Sequence, residues 1–454
     1  MKDLTQGSIY RHLIAMAGPV AAGMLLQTLY YVVDLYFVAR LGDAAMAGVG
    51  AAGNVMFLVL ALTQMLGVGT VALMSHAVGR KNRSEANHIF NQSVALSLVC
   101  AAVTVVAGYA LTGPYMSALG ADAVTTRAGT VYLYWFIPGL ALQFALVVMG
   151  SALRGTGIVK PTMLVQAFTV LLNTVLAPIL IAGWGTGHAL GVAGAALASS
   201  VAVAAGVGLL AVYFARLEKY VSFDPAQWRP RLATWRRMLN IGLPAGGELA
   251  LIGLFAGVVY WIIRDFGAAA QAGFGIGTRV MQAIFLPAMA IAFAVAPIAG
   301  QNFGARNAGR VRETFRAAAV SICAIMAALT LLCQWQGTSL IQAFTSDAEV
   351  VRVGGDYLRV ISWNFVALGL VFTASGVFQA LGNTWPALAS SALRVAIFAI
   401  PAVVLSRQAN FQLVHVWYLS VATVAIQAVV SLTLLRRQLQ RRLDFSAYPV
   451  VLAP

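Results

Sequence analysis

The chain has 454 residues, of which 60% are apolar and only 9% charged, with a formal net charge of +15. Soluble domains carry about 25% charged residues, so a chain this poor in charge cannot cover a water-facing surface, and a soluble basic face for nucleic acid is excluded. Runs of twenty or more mostly apolar residues recur along it, each long enough for a hydrocarbon core about 30 Å thick, which makes this a polytopic integral membrane protein.

The first apolar run, from Leu13 to about Ala39, exceeds a signal-peptide core of roughly 7–15 residues and has no small-residue cleavage site. Apolar runs between charge and Gly/Pro punctuation predict twelve spans, near 13–39, 46–76, 89–112, 125–151, 161–183, 190–215, 238–263, 270–299, 315–336, 355–379, 386–407 and 413–435. The N-terminus, the even-numbered loops and the C-terminus, with stretches such as "GRKNR" and "RRQLQRR", hold 21 of the 29 Lys and Arg. Positive residues stay on the cytoplasmic side, so both termini are expected there, in a bacterial inner membrane.

The charged stretch 216–237 is the expected linker between an N-terminal lobe, 1–215, and a C-terminal lobe, 238–440, with a tail at 441–454. A shift of 225 places Pro19 on Pro244, Gly42 on Gly267, Asn82 on Asn307, Asp122 on Asp347 and Gly157 on Gly382 without a gap. Six spans per half make this a parallel repeat about an axis along the membrane normal, an arrangement recurrent among transporters. The predicted fold class is therefore all-α integral membrane, twelve transmembrane helices in two six-helix lobes.

Departures from the repeat locate the candidate chemistry. Asp34, in "LYYVVDLYF", aligns with Val259, Asn173 with Phe398, and Glu248 with Gly23. Asp34 lies six residues before Arg40, about 9 Å below the outer face at a rise of 1.5 Å per residue. Asp is too short to snorkel, and an intramembrane acid is functional by default. The bland reading is a structural hydrogen bond, or a pair with Arg40. Burial disfavours a charged carboxyl, so Asp34 is the group expected to exchange a proton, with Asn173 beside it in the outer half of the first lobe. Glu248, in "LPAGGELAL", is a possible secondary acid, for a cation or simply for Arg279 or Arg394. Tyr30, Tyr31, Tyr36, Gln64, Gln143, Gln282 and Asn364 suit an amphipathic substrate cavity. Cys100, Cys323 and Cys333 lack metal spacing and the histidines do not cluster, so neither a metal nor an organic cofactor is expected. "GRKN" lacks the phosphate-loop pattern, and no nucleophile–base set marks an enzyme.

These stretches resemble the multidrug and toxic compound extrusion (MATE) family over nearly the whole chain. The resemblance lies in "GPVAAGMLLQTLYYVVDLYFVARLG" in helix 1, "LRGTG" with Lys160-Pro161, "LLNTVLAP" in helix 5, "GVAGAALAS" in helix 6 and "LPAMAIAFAVAPIAGQNFGARN" in helix 8. It implies an antiporter that exports amphipathic, often cationic and aromatic compounds in exchange for H⁺ or Na⁺, of the bacterial DinF-like branch. It maps the family's helix 1 Asp onto Asp34 and its helix 5 Asn onto Asn173. DinF-like relatives often carry "L-D-P" in helix 5, whereas this chain has Ala177. In other branches a helix 7 Glu and a helix 10 Asp form a second-lobe cation site; Glu248 falls about one turn early, and helix 10 offers Asn364.

The reading is a monomeric drug/proton antiporter. Its coupling group is Asp34, with the Asn173 carbonyl and a hydroxyl such as Thr174 or Ser199, and Pro19 is a possible bending point. Na⁺ coupling is the first alternative, and a flippase for lipids or lipid-linked saccharides is the second.

Overall fold

The computed structural model describes residues 1–445 apart from Ala121, Thr186 and Ala409. Of the expected tail at 441–454, residues 446–454 lie outside the described residues. The first half forms α1 (Ile9–Ala39), α2 (Asp43–Gly79), α3 (Arg83–Leu119), α4 (Ala123–Gly155), α5 (Lys160–Ala182) and α6 (Val192–Arg216). After a short 3-10 turn at Pro225–Trp228 come α7 (Leu232–Ile263), α8 (Ala268–Gly304), α9 (Ala308–Gln342), α10 (Ala348–Ile361), α11 (Phe365–Ala380), α12 (Trp385–Ser406) and α13 (Leu413–Arg442). With α10 and α11 taken as one span, twelve segments among the described residues are long and apolar enough to cross a membrane. Several run past the expected ends, because polar first turns such as Arg83-Ser84-Glu85 are helical without being apolar.

The repeat is visible in the backbone. α2, α3, α4 and α5 each start 225 residues before α8, α9, α10 and α12. Asn82 accepts from the Glu85 amide at 3.0 Å, and Asn307 from the Arg310 amide at 3.2 Å. Asp122 accepts from Thr125 at 2.7 Å and Asp347 from Val350 at 3.0 Å, so the same orphan amides of each helix start are satisfied in both halves. Even the left-handed backbone recurs, at Lys81 with φ 57° and Arg306 with φ 58°.

One helix breaks the symmetry. α4 runs unbroken through Pro138, whereas its counterpart is interrupted by a 3-10 turn at Ser362–Asn364. Thr330 Oγ1 donates to the Ser362 carbonyl at 2.8 Å, and Gln334 Nε2 donates to the Arg359 carbonyl at 2.6 Å. Backbone acceptors loosened at the break thus keep partners, as a bilayer requires.

Two compact units emerge. The first comprises residues 1–3 and 22–242, the second residues 4–21 and 243–454. In the first, the stretch after α6 is strapped to α3. Asn91 donates to the Ser222 carbonyl at 3.0 Å and accepts from the Asp224 amide at 2.8 Å, while Gln92 accepts from the Arg231 amide at 2.9 Å. α2 meets the start of α7 closely, where a Cβ on Gly69 would lie 2.5 Å from the Met238 carbonyl oxygen. In the second unit, residues 4–7 are tied to α8 and α9: Gln301 accepts from the Leu4 amide at 2.9 Å, and Arg310 donates to the Gly7 carbonyl at 2.9 Å. The interior of this unit is aromatic, with Phe274 stacked on Trp417 at 5.7 Å and Tyr357 edge-on to Trp417 at 4.8 Å.

Candidate functional site

In the first unit, α5 buries Asn173 completely. Its Nδ2 donates to Ser199 on α6 at 3.2 Å and to the Tyr30 hydroxyl on α1 at 3.5 Å. Asp34 stands four residues after Tyr30, so the two share a face of α1 one turn apart. The Asp34 Oδ1 and the Asn173 Oδ1 are both buried without a hydrogen-bond partner among the described residues. A buried acceptor left unmatched costs about 1–3 kcal/mol, so each of these oxygens, Asp34 Oδ1 on α1 and Asn173 Oδ1 on α5, is a place that a proton or a small cation would stabilise.

The bland alternatives for Asp34 fall away. Arg40 donates to the Tyr36 hydroxyl and lies 4.5 Å over the Tyr36 ring. The Thr174 hydroxyl turns back to the Val170 carbonyl at 2.8 Å, leaving Ser199 as the hydroxyl that joins the group. Ala177, one turn beyond Asn173, is fully buried and puts a methyl where a second acid would add charge.

Glu248 has surroundings other than those expected. Arg279 and Arg394 are not its partners: Ser375 donates to its Oε2 at 3.0 Å and Ser391 to its Oε1 at 3.5 Å. Gln427 extends the cluster by donating to Ser391 at 3.2 Å. Arg279 is exposed on α8, and Arg394 lies 4.3 Å over the Phe255 ring. The reason is reach and choice. Short hydroxyls on α11 and α12 satisfy the carboxylate in place, so no long cation has to be ordered beside it. Sequence reading missed these serines, since Ser and Thr are common in membrane helices and nothing in their spacing marks a carboxylate seat.

The other cavity candidates scatter. Tyr36 is 53% exposed and engaged with Arg40. Gln64 on α2 and Gln143 on α4 are half-buried, and Gln282 on α8 is exposed. None of the three joins the Asn173 or Glu248 groups. The side chain of Tyr31 lies outside the described residues. Asn364 is buried in the 3-10 break and lines a cavity of the second unit with Arg394, Tyr357 and Trp417.

A family pattern, MatE, matches residues 19–179 and again 244–405. The two matches start on the prolines that the repeat superposes. The multidrug export protein MepA of Staphylococcus haemolyticus is 28% identical over 381 residues, 83% of each chain. A probable multidrug resistance protein of Bacillus subtilis, YpnP, is 27% identical over 387 residues, 84% of each chain. Among solved structures, the crystal structure of a MATE protein in its bent conformation superposes with a TM-score of 0.92 over 98% of both chains, at 22% identity, a likeness of fold.

Proposed function

We propose, for a chain that belongs to the MatE family of membrane transporters and is not an enzyme, that it is a secondary-active antiporter expelling amphipathic, cationic aromatic compounds in exchange for protons. A relative named as a multidrug export protein and one named as a probable multidrug resistance protein match most of its length, which supports the substrate class. The observation that carries the coupling role is the unpartnered, buried Oδ1 of Asp34, one turn from the Tyr30–Asn173–Ser199 group. A proton entering there removes the charge that holds a cationic substrate, and the two charge states favour different packings of α1. Glu248 is at most a secondary acid in this scheme.

The excess of Lys and Arg at the termini and even-numbered loops supports cytoplasmic termini in a bacterial inner membrane. A monomer suffices, because each chain supplies both repeats. Within the family a DinF-like place is proposed with one departure, Ala177 standing where such relatives often carry an acid.

The test is ethidium efflux from proteoliposomes under an imposed pH gradient. Asp34→Asn keeps the side-chain shape and removes only the titrating charge, so efflux should fall at least about tenfold while the purified variant keeps its melting temperature. Full efflux by a folded Asp34→Asn protein would refute the coupling role.

A further inference from the structure

The cavity around Arg394 has a chemistry that proton-coupled export of cations does not use. Phe255, Tyr357, Asn364, Arg394, Phe398 and Trp417 are among its walls, and its volume is about 30 Å³. An arginine inside a membrane helix is costly and normally faces a partner. Here the guanidinium packs one face on Phe255 at 4.3 Å, and its Nε is buried with no hydrogen-bond partner. No carboxylate forms an ion pair with it among the described residues, and Glu248, the acid expected from the sequence as its partner, is occupied by Ser375 and Ser391. A cation–π contact uses the flat face of the guanidinium and leaves its edge, the fork that reads a carboxylate, unused.

The internal repeat says where this cavity sits. A shift of 225 carries Tyr30 onto Phe255, Asp34 onto Val259 and Asn173 onto Phe398. All three counterparts line the cavity. It therefore occupies, in the second unit, the place that the Asp34 group occupies in the first. The acid has become valine, the asparagine phenylalanine, and a positive charge enters from Arg394, whose counterpart is Thr169. The 3-10 interruption of the α10–α11 span falls at the same cavity and brings Asn364 into its wall.

We infer that this cavity receives an anionic group, the carboxylate of an aromatic compound or a free halide, with the edge of Arg394 as its donor and Asn364 as a polar neighbour. Its size suits such a group rather than a whole drug. The rest of an aromatic acid would extend past Trp417, which also lines a second cavity of about 330 Å³. The two repeats would then carry sites of opposite sign, one for a proton or cation and one for an anion.

Binding, rather than transport, is the readout, so the result is independent of whether Asp34 couples to protons. Calorimetric titration of the purified protein at constant ionic strength compares sodium benzoate with its neutral isostere benzamide. A charge-assisted fork should favour benzoate at least about tenfold, Arg394→Gln should abolish that preference, and Arg394→Lys should retain part of it. A chloride arm separates the two sources: competition with benzoate assigns the site to small anions generally, and its absence assigns it to carboxylates. Equal binding of benzoate and benzamide by the wild-type protein overturns the inference whether or not the glutamine variant folds. So does an undiminished benzoate preference in a folded Arg394→Gln protein.

Discussion

Asp34 and Glu248 are two acids in apolar helices, and their neighbours divide them. Asp34 keeps one buried oxygen without a donor, whereas both oxygens of Glu248 accept from serines. Glutamine at 248 can accept from one serine through Oε1 and donate to the other hydroxyl through Nε2, so Glu248→Gln should keep at least about a third of wild-type proton-driven efflux, the loss of one seated charge being modest when hydroxyl partners remain. Side-by-side vesicle assays of Glu248→Gln and Asp34→Asn at matched reconstitution check this. Equal inactivation would assign a coupling role to the second repeat. At this scale the sequence exposes charge but not company. Asp34 stands out because no charge occurs between Arg11 and Asp34. The seat of Glu248 comes from residues 127 and 143 positions away, which no local spacing encodes. Arg394 is likewise legible as an intramembrane cation, while its aromatic enclosure is not.

Helices carry the repeat more faithfully than side chains do. Start positions, N-caps and left-handed residues all recur at 225, because capping and turn chemistry are local and survive divergence of the core. The break at Ser362–Asn364 was not legible. "RVISWNFVALGL" contains no proline or glycine before Gly369, and tertiary bonds from Thr330 and Gln334 support the irregular turn. Close helix approach is similarly hidden in ordinary glycines. A Cβ on Gly242 would run into the Met65 carbonyl oxygen, a rigid backbone atom, whereas one on Gly257 of the same helix meets nothing within 4 Å. Gly242→Ala should therefore cost about 1–3 kcal/mol through forced separation of α2 and the start of α7. Gly257→Ala should be neutral or stabilising by up to about 1 kcal/mol through helix propensity. Thermal unfolding of the detergent-purified variants reads both, and equal melting temperatures would show that the α2–α7 approach is loose.

For the whole molecule the open choice is the ion that drives the cycle, and the architecture serves either one. Na⁺ is a hard cation that takes several oxygen ligands at once, whereas a proton needs a single carboxyl. The first repeat offers one acid, Asp34, and one unmatched amide oxygen, on Asn173, because Ala177 withholds a second carboxylate. Ser199 already receives the Asn173 amide, and Thr174 is spent on its own helix. One charge and one amide oxygen make a poor cage for Na⁺, whereas a proton needs only the single carboxyl of Asp34. Reconstituted efflux should thus rise at least about fivefold on imposing a pH gradient, acidic on the side that receives substrate, in nominally Na⁺-free buffer. A Na⁺ gradient of the same size at fixed pH should change it by less than about twofold, since an ion without differential affinity for the two states shifts nothing. Efflux that follows Na⁺ and ignores pH would overturn proton coupling. It would move the search for ligands to the Glu248–Ser391–Gln427 cluster, where the Gln427 Oε1 is also buried without a donor.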